Sequence, residues 1–162
     1  MPSGPRLLLA HACYHLIMRG NQRQTVFLNE IDYKAYLARI RLYKKRHMFL
    51  LYGYCLMPNH IHIVGEPQKP KDLAKFMQGV SRSYTAYFNR RYKKVGHLWQ
   101  GRYKSKIIAK DAYLVDCIQY AEHNPIRAGL SKTAGEYCWS SYQERALGLN
   151  NSRKRLLNEI TM

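Results

Sequence analysis

The chain has 162 residues, a length that suits one domain with its own hydrophobic core. Apolar residues make up 46% of it, too many for a disordered protein, and no apolar run approaches the roughly 18 residues needed to span a bilayer. Lysine and arginine total 27 against 10 acidic residues, and this net charge of +17 predicts a polyanionic partner.

The apolar periodicity predicts strands and helices in the order β-α-β-β-α-β, followed by one further helix. A polar loop, Arg19 to Gln24, follows the first strand, and its Gly20 permits a tight turn. The predicted strands are His11 to Met18, Phe49 to Leu56, a histidine strand that ends near Pro67, and Arg102 to Ala109. The predicted helices are Glu30 to His47, Asp72 to Tyr92, and a third that Asp111 caps and that runs to about Asn124, where Pro125 discourages continuation.

This order is that of an α+β, ferredoxin-like fold with a single antiparallel sheet, helices packed on it and an additional C-terminal helix. We expect one domain over residues 1–147 and a basic, mobile tail over residues 148–162. Residues 1–10 hold one arginine and a short leucine triplet, too little for a signal peptide, so we expect a cytoplasmic protein. The four cysteines are widely separated and do not suggest a zinc site or a disulfide framework.

Two histidines lie two residues apart in the apolar run Met57-Pro58-Asn59-His60-Ile61-His62-Ile63-Val64. In a strand they project to the same face, roughly 7 Å apart, while Ile61 and Ile63 face the core. Neutral imidazole is a common ligand of divalent metals, so the pair is a candidate metal site. On spacing alone, two structural histidines remain an equal alternative.

The third predicted helix carries a tyrosine outside its apolar stripe. Leu114, Val115, Ile118 and Ala121 fall on one arc, whereas Tyr120 lies roughly 140° from the centre of that arc. Asn124 follows one turn later. In a chain with 14 tyrosines, most have a structural role, so the position alone does not establish chemistry.

Basic residues are concentrated between Lys69 and Lys110, where twelve lysines and arginines stand against one acidic residue. Tyrosines are interleaved through the chain, and such rings can stack on bases while the cations meet phosphates, so we expect single-stranded or looped nucleic acid as the partner. Membrane binding is less favoured because no basic amphipathic helix stands alone. The residues expected to contact DNA are Arg19, Asn21, Gln22, Arg23, Arg102, Lys104, Lys106 and Arg127.

The combination of motifs resembles the HUH single-tyrosine transposases, and in particular the branch of REP-associated tyrosine transposases. The resemblance rests on the histidine motif, the loop that begins at Arg19, and three further segments: residues 96–103 (GHLWQGRY), 120–130 (YAEHNPIRAGL) and 139–142 (WSSY). It covers roughly Tyr14 to Tyr142. The chain departs from related insertion-sequence enzymes in one position, since Asn124 stands where they have a glutamine.

The resemblance implies a metal-dependent enzyme that cleaves and rejoins single-stranded DNA at palindromic hairpins. His60, His62 and Asn124 would hold Mg²⁺ or Mn²⁺, and Tyr120 would attack a phosphodiester to give a 5′-phosphotyrosine link and a free 3′-OH. It also implies a monomer, with no membrane partner and no small-molecule substrate. Two alternatives stay open: a non-catalytic nucleic-acid-binding module with structural histidines, and a metal-dependent nuclease that uses water in place of Tyr120.

Overall fold

A four-stranded antiparallel sheet carries the histidine pair. The structure is a computed structural model that describes residues 12–148 and 155–160. The strands, in the spatial order β2-β3-β1-β4, are β1 (Cys13–Arg19), β2 (Phe49–Met57), β3 (His60–Pro67) and β4 (Lys104–Ile108). The helices are α1 (Glu30–Arg46), α2 (Pro70–Tyr92), α3 (Ala112–Glu122), α4 (Asn124–Arg127) and α5 (Tyr142–Leu147). The predicted β-α-β-β-α-β order and the single antiparallel sheet are confirmed.

The two faces of the sheet bury different clusters. One face holds the main core, in which Ile61 and Ile63 pack with side chains of α1 and α2 such as Tyr36 and Phe76. The other face carries a smaller cluster that includes Val64 of β3. Because side chains alternate along a strand, His60 and His62 lie on the same face as Val64.

Helix α3 covers the face that carries the histidines. Leu114 and Ile118 are buried in the small cluster with Val64, and the carboxylate of Asp111 caps the helix by accepting a hydrogen bond from the backbone N–H of Tyr113 at 2.9 Å. The prediction that Val115 belongs to the buried stripe is wrong. Val115 is 38% exposed because the packed positions are 114, 118 and 121, and it lies at their margin.

The end of α3 differs from the prediction. The helix ends at Glu122, with His123 as its C-cap, and α4 begins at once with Asn124. Pro125 falls in the first turn of α4, where its missing N–H breaks no intrahelical hydrogen bond. Proline therefore starts a new short helix here rather than ending the structure. Asn124 belongs to this second helix and not to the one that carries Tyr120.

Part of the predicted tail packs against the domain. Leu156 and Leu157 are buried in the main core, and Asn158 exchanges hydrogen bonds with the backbone of Leu51. The prediction of a mobile tail is therefore wrong for residues 155–160, because two adjacent leucines bury apolar surface there. The remaining tail residues, 149–154 and 161–162, and the predicted strand start at His11 lie outside the described residues.

Within residues 12–148 and 155–160, none of the helices combines the length and the apolar character that crossing a membrane requires.

Candidate functional site

The two histidines of β3 lie side by side on the face covered by α3. Their ring centroids are 5.1 Å apart, which confirms that His60 and His62 project in the same direction. His62 is buried and His60 is half-buried. The pair therefore lies where a ligand can reach it from one side, at the end of β3 that begins with His60.

Each of these two rings is held through its Nδ1 atom. Nδ1 of His60 lies 2.7 Å from Oδ1 of Asn59, and since an amide oxygen only accepts, the imidazole donates. Nδ1 of His62 lies 2.9 Å from Nε2 of His15 on β1. Among the described residues, no hydrogen bond engages Nε2 of either His60 or His62. Both Nε2 atoms are thus available to bind a ligand.

His15 is a site residue that the sequence analysis missed. It is buried in β1, and its ring stacks on that of His62 with centroids 5.1 Å apart and an interplanar angle of 26°. In the strand register Ile17 stands opposite His62, so His15 is the diagonal neighbour of His62 on the same face. Only the pairing of β1 with β3 reveals this contact, and the spacing of residues along the chain does not.

The site keeps its imidazoles neutral near pH 7. Burial, reinforced by the neighbouring His15, lowers the pKa of His62 from its ordinary value to about 3. Burial also lowers the pKa of His60, with a smaller contribution from the positive charge of Arg19. The pKa of His15 is lowered by burial and by the nearby charge of Lys106. Neutral imidazole is the form that binds metal ions, so the protonation state suits a metal site.

No third ligand of the usual kind stands beside the histidine pair. Within residues 12–148 and 155–160, no three His, Cys, Asp or Glu side chains converge in a way that could hold a metal ion. The amide nitrogen of Asn124 donates to the carbonyl oxygen of Ala121 at 3.2 Å and so closes the end of α3. Metal binding by Asn124 therefore stays a prediction, in which its amide oxygen would be the ligand atom.

Tyr120 lies on the outer side of α3, away from the residues that pack on the sheet. Its side chain is 55% exposed, and no hydrogen bond or ring contact joins it to His60 or His62 in the part of the chain that the structure describes. The guanidinium of Arg127 stacks on the tyrosine ring 4.0 Å from its centroid and also donates to the Tyr120 carbonyl oxygen. The positive charge of Arg127 also contributes to the lowered pKa of His62.

A cavity of about 430 Å³ opens beside Tyr120 on α3 and α4. It is lined by Asp116, Gln119, Tyr120, His123, Ile126 and Arg127. The residues present a phenol, a guanidinium and an imidazole to solvent. The carboxylate of Asp116 lines the same cavity, so its charged groups are of both signs.

A buried ion pair holds the end of α3 in place. Glu122 is fully buried, and its carboxylate accepts hydrogen bonds from Arg145 of α5 and from the hydroxyl of Ser141 at 2.7 Å. The hydroxyl oxygen of Ser141 in turn accepts from the backbone N–H of Tyr54 in β2 at 2.9 Å, and the N–H of Ser141 donates to the carbonyl oxygen of Tyr54 at 2.9 Å. The helix turn that carries Tyr120 is thereby tied to the sheet through residues far along the chain.

The loop after β1 has an unusual backbone. Residues Asn21–Arg23 form a 3-10 helix in which Gln22 and Arg23 adopt left-handed φ angles of 53° and 58°. Gly20 itself is extended, and the reason for glycine is space, since a Cβ there would lie 2.4 Å from the carbonyl oxygen of Gln24. Gly20 therefore allows close packing of the backbone, and the tight turn expected at Gly20 is made instead by the left-handed residues Gln22 and Arg23.

This loop is fastened to a second loop, residues 96–101. The N–H of Asn21 donates to the carbonyl of Leu98 at 2.8 Å, and the N–H of Gln100 donates to the carbonyl of Arg19 at 2.8 Å. Arg19 stands opposite His60 in the strand register, so its side chain lies on the face of the histidines. The side chains of Gln22 and Arg23 are exposed.

The edge strand β4 adds positive charge to the same face. Lys106 stands opposite His15 and Lys104 opposite Ile17, and both lysines are exposed. The strand begins at Lys104, so Arg102, which the sequence assigned to it, lies in the preceding exposed turn. The structure therefore places Arg19, Lys104 and Lys106 on the face of the histidines, whereas Arg102 lies outside β4.

Known proteins share features with this chain. The family model described as IS200-like transposase matches residues 9–124. A solved structure of a REP-associated tyrosine transposase bound to a REP hairpin superposes with a TM-score of 0.74 at 16% identity, covering 100% of this chain and 94% of that one. A candidate transposase from Deinococcus radiodurans R1 gives a TM-score of 0.50 at 20% identity, covering 75% of this chain and 96% of that one. Comparison with curated proteins gives no match.

Proposed function

The chain belongs to the family of IS200-like transposases, and on that basis we propose that it cleaves and rejoins single-stranded DNA at palindromic, REP-like hairpins. The likeness in fold to a transposase bound to a REP hairpin supports a hairpin as the substrate. The observation that carries the proposal is the histidine pair, whose two Nε2 atoms are available on the face that carries Arg19, Lys104 and Lys106.

A divalent cation, Mg²⁺ or Mn²⁺, would be held by His60 and His62, with Asn124 as the proposed third ligand. When bound, it would polarise the scissile phosphate and neutralise developing negative charge. The neutral imidazoles fit this role. Within residues 12–148 and 155–160 no acidic side chain joins the two histidines in a group that could hold a metal ion, whereas the positively charged Arg19 stands opposite His60. We therefore expect tight cation binding only together with DNA, whose phosphates supply the missing negative charge.

Tyr120 is the proposed nucleophile. Its phenolic oxygen attacks the phosphorus and gives up its proton, the bond from phosphorus to the 3′ oxygen breaks, and that oxygen takes a proton to become a free 3′-OH. The product is a 5′-phosphotyrosine, and attack by a 3′-OH on this link rejoins DNA without ATP. The side chain of Tyr120 is 55% exposed, so its hydroxyl is accessible to a DNA strand.

Arg127 is suited to hold that phosphate. Its guanidinium stacks on the ring of Tyr120, its charge acts on His62, and a guanidinium binds phosphate oxygens in a bidentate fashion. Arg19, Arg23, Lys104 and Lys106 are proposed to contact the DNA backbone, which positions the strand. The half-buried side chain of Asn21 and the exposed side chains of Gln22 and Arg102 are proposed to reach base edges or neighbouring phosphates.

We further propose that one chain forms the complete site as a monomer. The ion pair between Glu122 and Arg145 ties the end of α3 to the sheet of the same chain, so Tyr120 and the histidines come from one molecule. In this proposal residues 1–147 contain the whole catalytic site, and Leu156 and Leu157 complete the core of the same domain. Neither a membrane nor a small-molecule substrate takes part.

Cleavage of a hairpin oligonucleotide tests the function. The protein is incubated with a labelled single-stranded hairpin and Mn²⁺, and the products are separated on a denaturing gel. We expect a cleaved strand and a slowly migrating protein–DNA adduct, both abolished by EDTA. His60→Ala should abolish both while hairpin binding persists, and His47→Ala, on the distant end of α1, serves as the matched control. Wild-type cleavage by His60→Ala would contradict the role of the histidines.

A further inference from the structure

We propose that His15 is a positioning residue that fixes the tautomer and orientation of His62, so that Nε2 of His62 presents its lone pair to a bound cation. This inference rests on the proposed function in one respect, namely that His62 holds a metal. The hydrogen bond itself, 2.9 Å between Nε2 of His15 and Nδ1 of His62, exists in the protein without any metal.

The contact allows two arrangements of the shared proton. If Nδ1 of His62 carries the proton, it donates to His15 and the lone pair of its Nε2 is free. If Nε2 of His15 carries the proton, His62 accepts at Nδ1, and its own proton must then sit on Nε2, which blocks metal binding. Only the first arrangement gives a ligand, and it requires His15 to carry its own proton on Nδ1.

The partner histidine is held in the same way by a different residue. Nδ1 of His60 donates to the amide oxygen of Asn59, which can only accept, so its Nε2 is the unprotonated nitrogen. His15 and Asn59 thus play equivalent parts on neighbouring rings. Metal-binding histidines commonly have their second ring nitrogen held by such an outer partner.

The burial of His15 indicates a role beyond packing. His15 is only 8% exposed, and the hydrogen bond to His62 is the one that its side chain makes within residues 12–148 and 155–160. An apolar side chain would fill this strand position without the cost of burying an imidazole. The ring also stacks on His62, so the structure offers two separable contacts: a hydrogen bond and a stacked face.

Two substitutions separate these contacts. His15→Phe keeps an aromatic ring for stacking and removes the hydrogen bond. His15→Gln removes the ring and keeps an amide oxygen that accepts from Nδ1 of His62. If His15 positions His62, glutamine should preserve the ring tautomer of His62 and the affinity for Mn²⁺, and phenylalanine should not. If His15 only packs, phenylalanine should preserve them and glutamine should not.

The first measurement is the ring tautomer of His62 in the metal-free protein, by ¹⁵N NMR of the histidine side chains. In wild type and in His15→Gln, we expect a protonated Nδ1 and an unprotonated Nε2, and in His15→Phe a mixture of tautomers. A proton on Nε2 of His62 in the wild-type protein, or an unchanged tautomer in His15→Phe, would overturn the proposal.

The second measurement is the affinity for Mn²⁺ in the presence of a hairpin oligonucleotide, followed by electron paramagnetic resonance. Loss of an outer partner of this kind lowers metal affinity by about 10- to 100-fold, which we expect for His15→Phe, with most of the affinity retained in His15→Gln. Equal affinity of His15→Phe and wild type would overturn the proposal. A wild-type protein that binds no Mn²⁺ would contradict the proposed metal site, and the tautomer measurement would still decide the role of His15.

Discussion

Replacing Arg145 by methionine should destabilise the protein far more than removal of an ordinary surface ion pair. The carboxylate of Glu122 is fully buried and would lose two hydrogen bonds from the guanidinium, leaving the hydroxyl of Ser141 as its remaining side-chain partner. Removing one partner of a buried ion pair costs about 3–5 kcal/mol. The side chain of Arg145 is 26% exposed, so water can partly replace it, and we expect the lower end, about 3 kcal/mol.

Urea unfolding followed by circular dichroism measures this loss as a change in the free energy of unfolding. The matched control is Arg155→Met, which removes an exposed pair with Glu159 and should cost at most about 0.5 kcal/mol. The double variant Glu122→Gln with Arg145→Met should lose less than the two single variants added together, because it no longer buries an unpaired charge. If Arg145→Met costs no more than Arg155→Met, the ion pair does not hold α3 in place.

Two further predictions concern pH and salt. In metal-free protein the pKa of His62 is lowered to about 3, whereas in the unfolded chain it is about 6.5, so the unfolded state alone binds this proton between those values. The free energy of unfolding should therefore be highest above pH 6.5 and fall by up to about 1.4 kcal/mol per pH unit below it. The fall should be smaller in His62→Gln. Equal slopes of unfolding free energy against pH in wild type and His62→Gln would refute the lowered pKa of His62. Arg19→Ala with Arg23→Ala should weaken hairpin binding and reduce the slope of log affinity against log salt by about two, and unchanged binding would rule out this loop as a DNA contact.

The alternation of side chains along one strand was sufficient to predict the histidine face. His60 and His62 share a side and Ile61 and Ile63 enter the core, because the two-residue period of a strand is a local property. The helical period likewise separated Tyr120 from the buried positions of α3. Both predictions depend on neighbours within a few residues in the sequence.

The contacts that complete the site join residues far apart in the chain. His15 meets His62 only through the register of β1 against β3, and Glu122 meets Arg145 only because α5 returns to the end of α3. The packing of Leu156 and Leu157 was hidden in the same way, since the residues on either side of the pair, Arg155 and Asn158, are basic and polar. Local patterns contain no information on such pairings, and a single sequence offers no other source for them.

The proposed role of Tyr120 is tested most directly by removing its one hydroxyl oxygen. Tyr120→Phe keeps the ring that Arg127 stacks on, so stability and hairpin affinity should stay near those of wild type. Tyr113→Phe, an exposed tyrosine on the same helix, is the matched control and should behave as wild type. With a labelled hairpin and Mn²⁺ on a denaturing gel, we expect Tyr120→Phe to give neither cleaved strand nor covalent adduct. An adduct formed by Tyr120→Phe would contradict Tyr120 as the nucleophile, and cleavage without an adduct would show that water attacks instead.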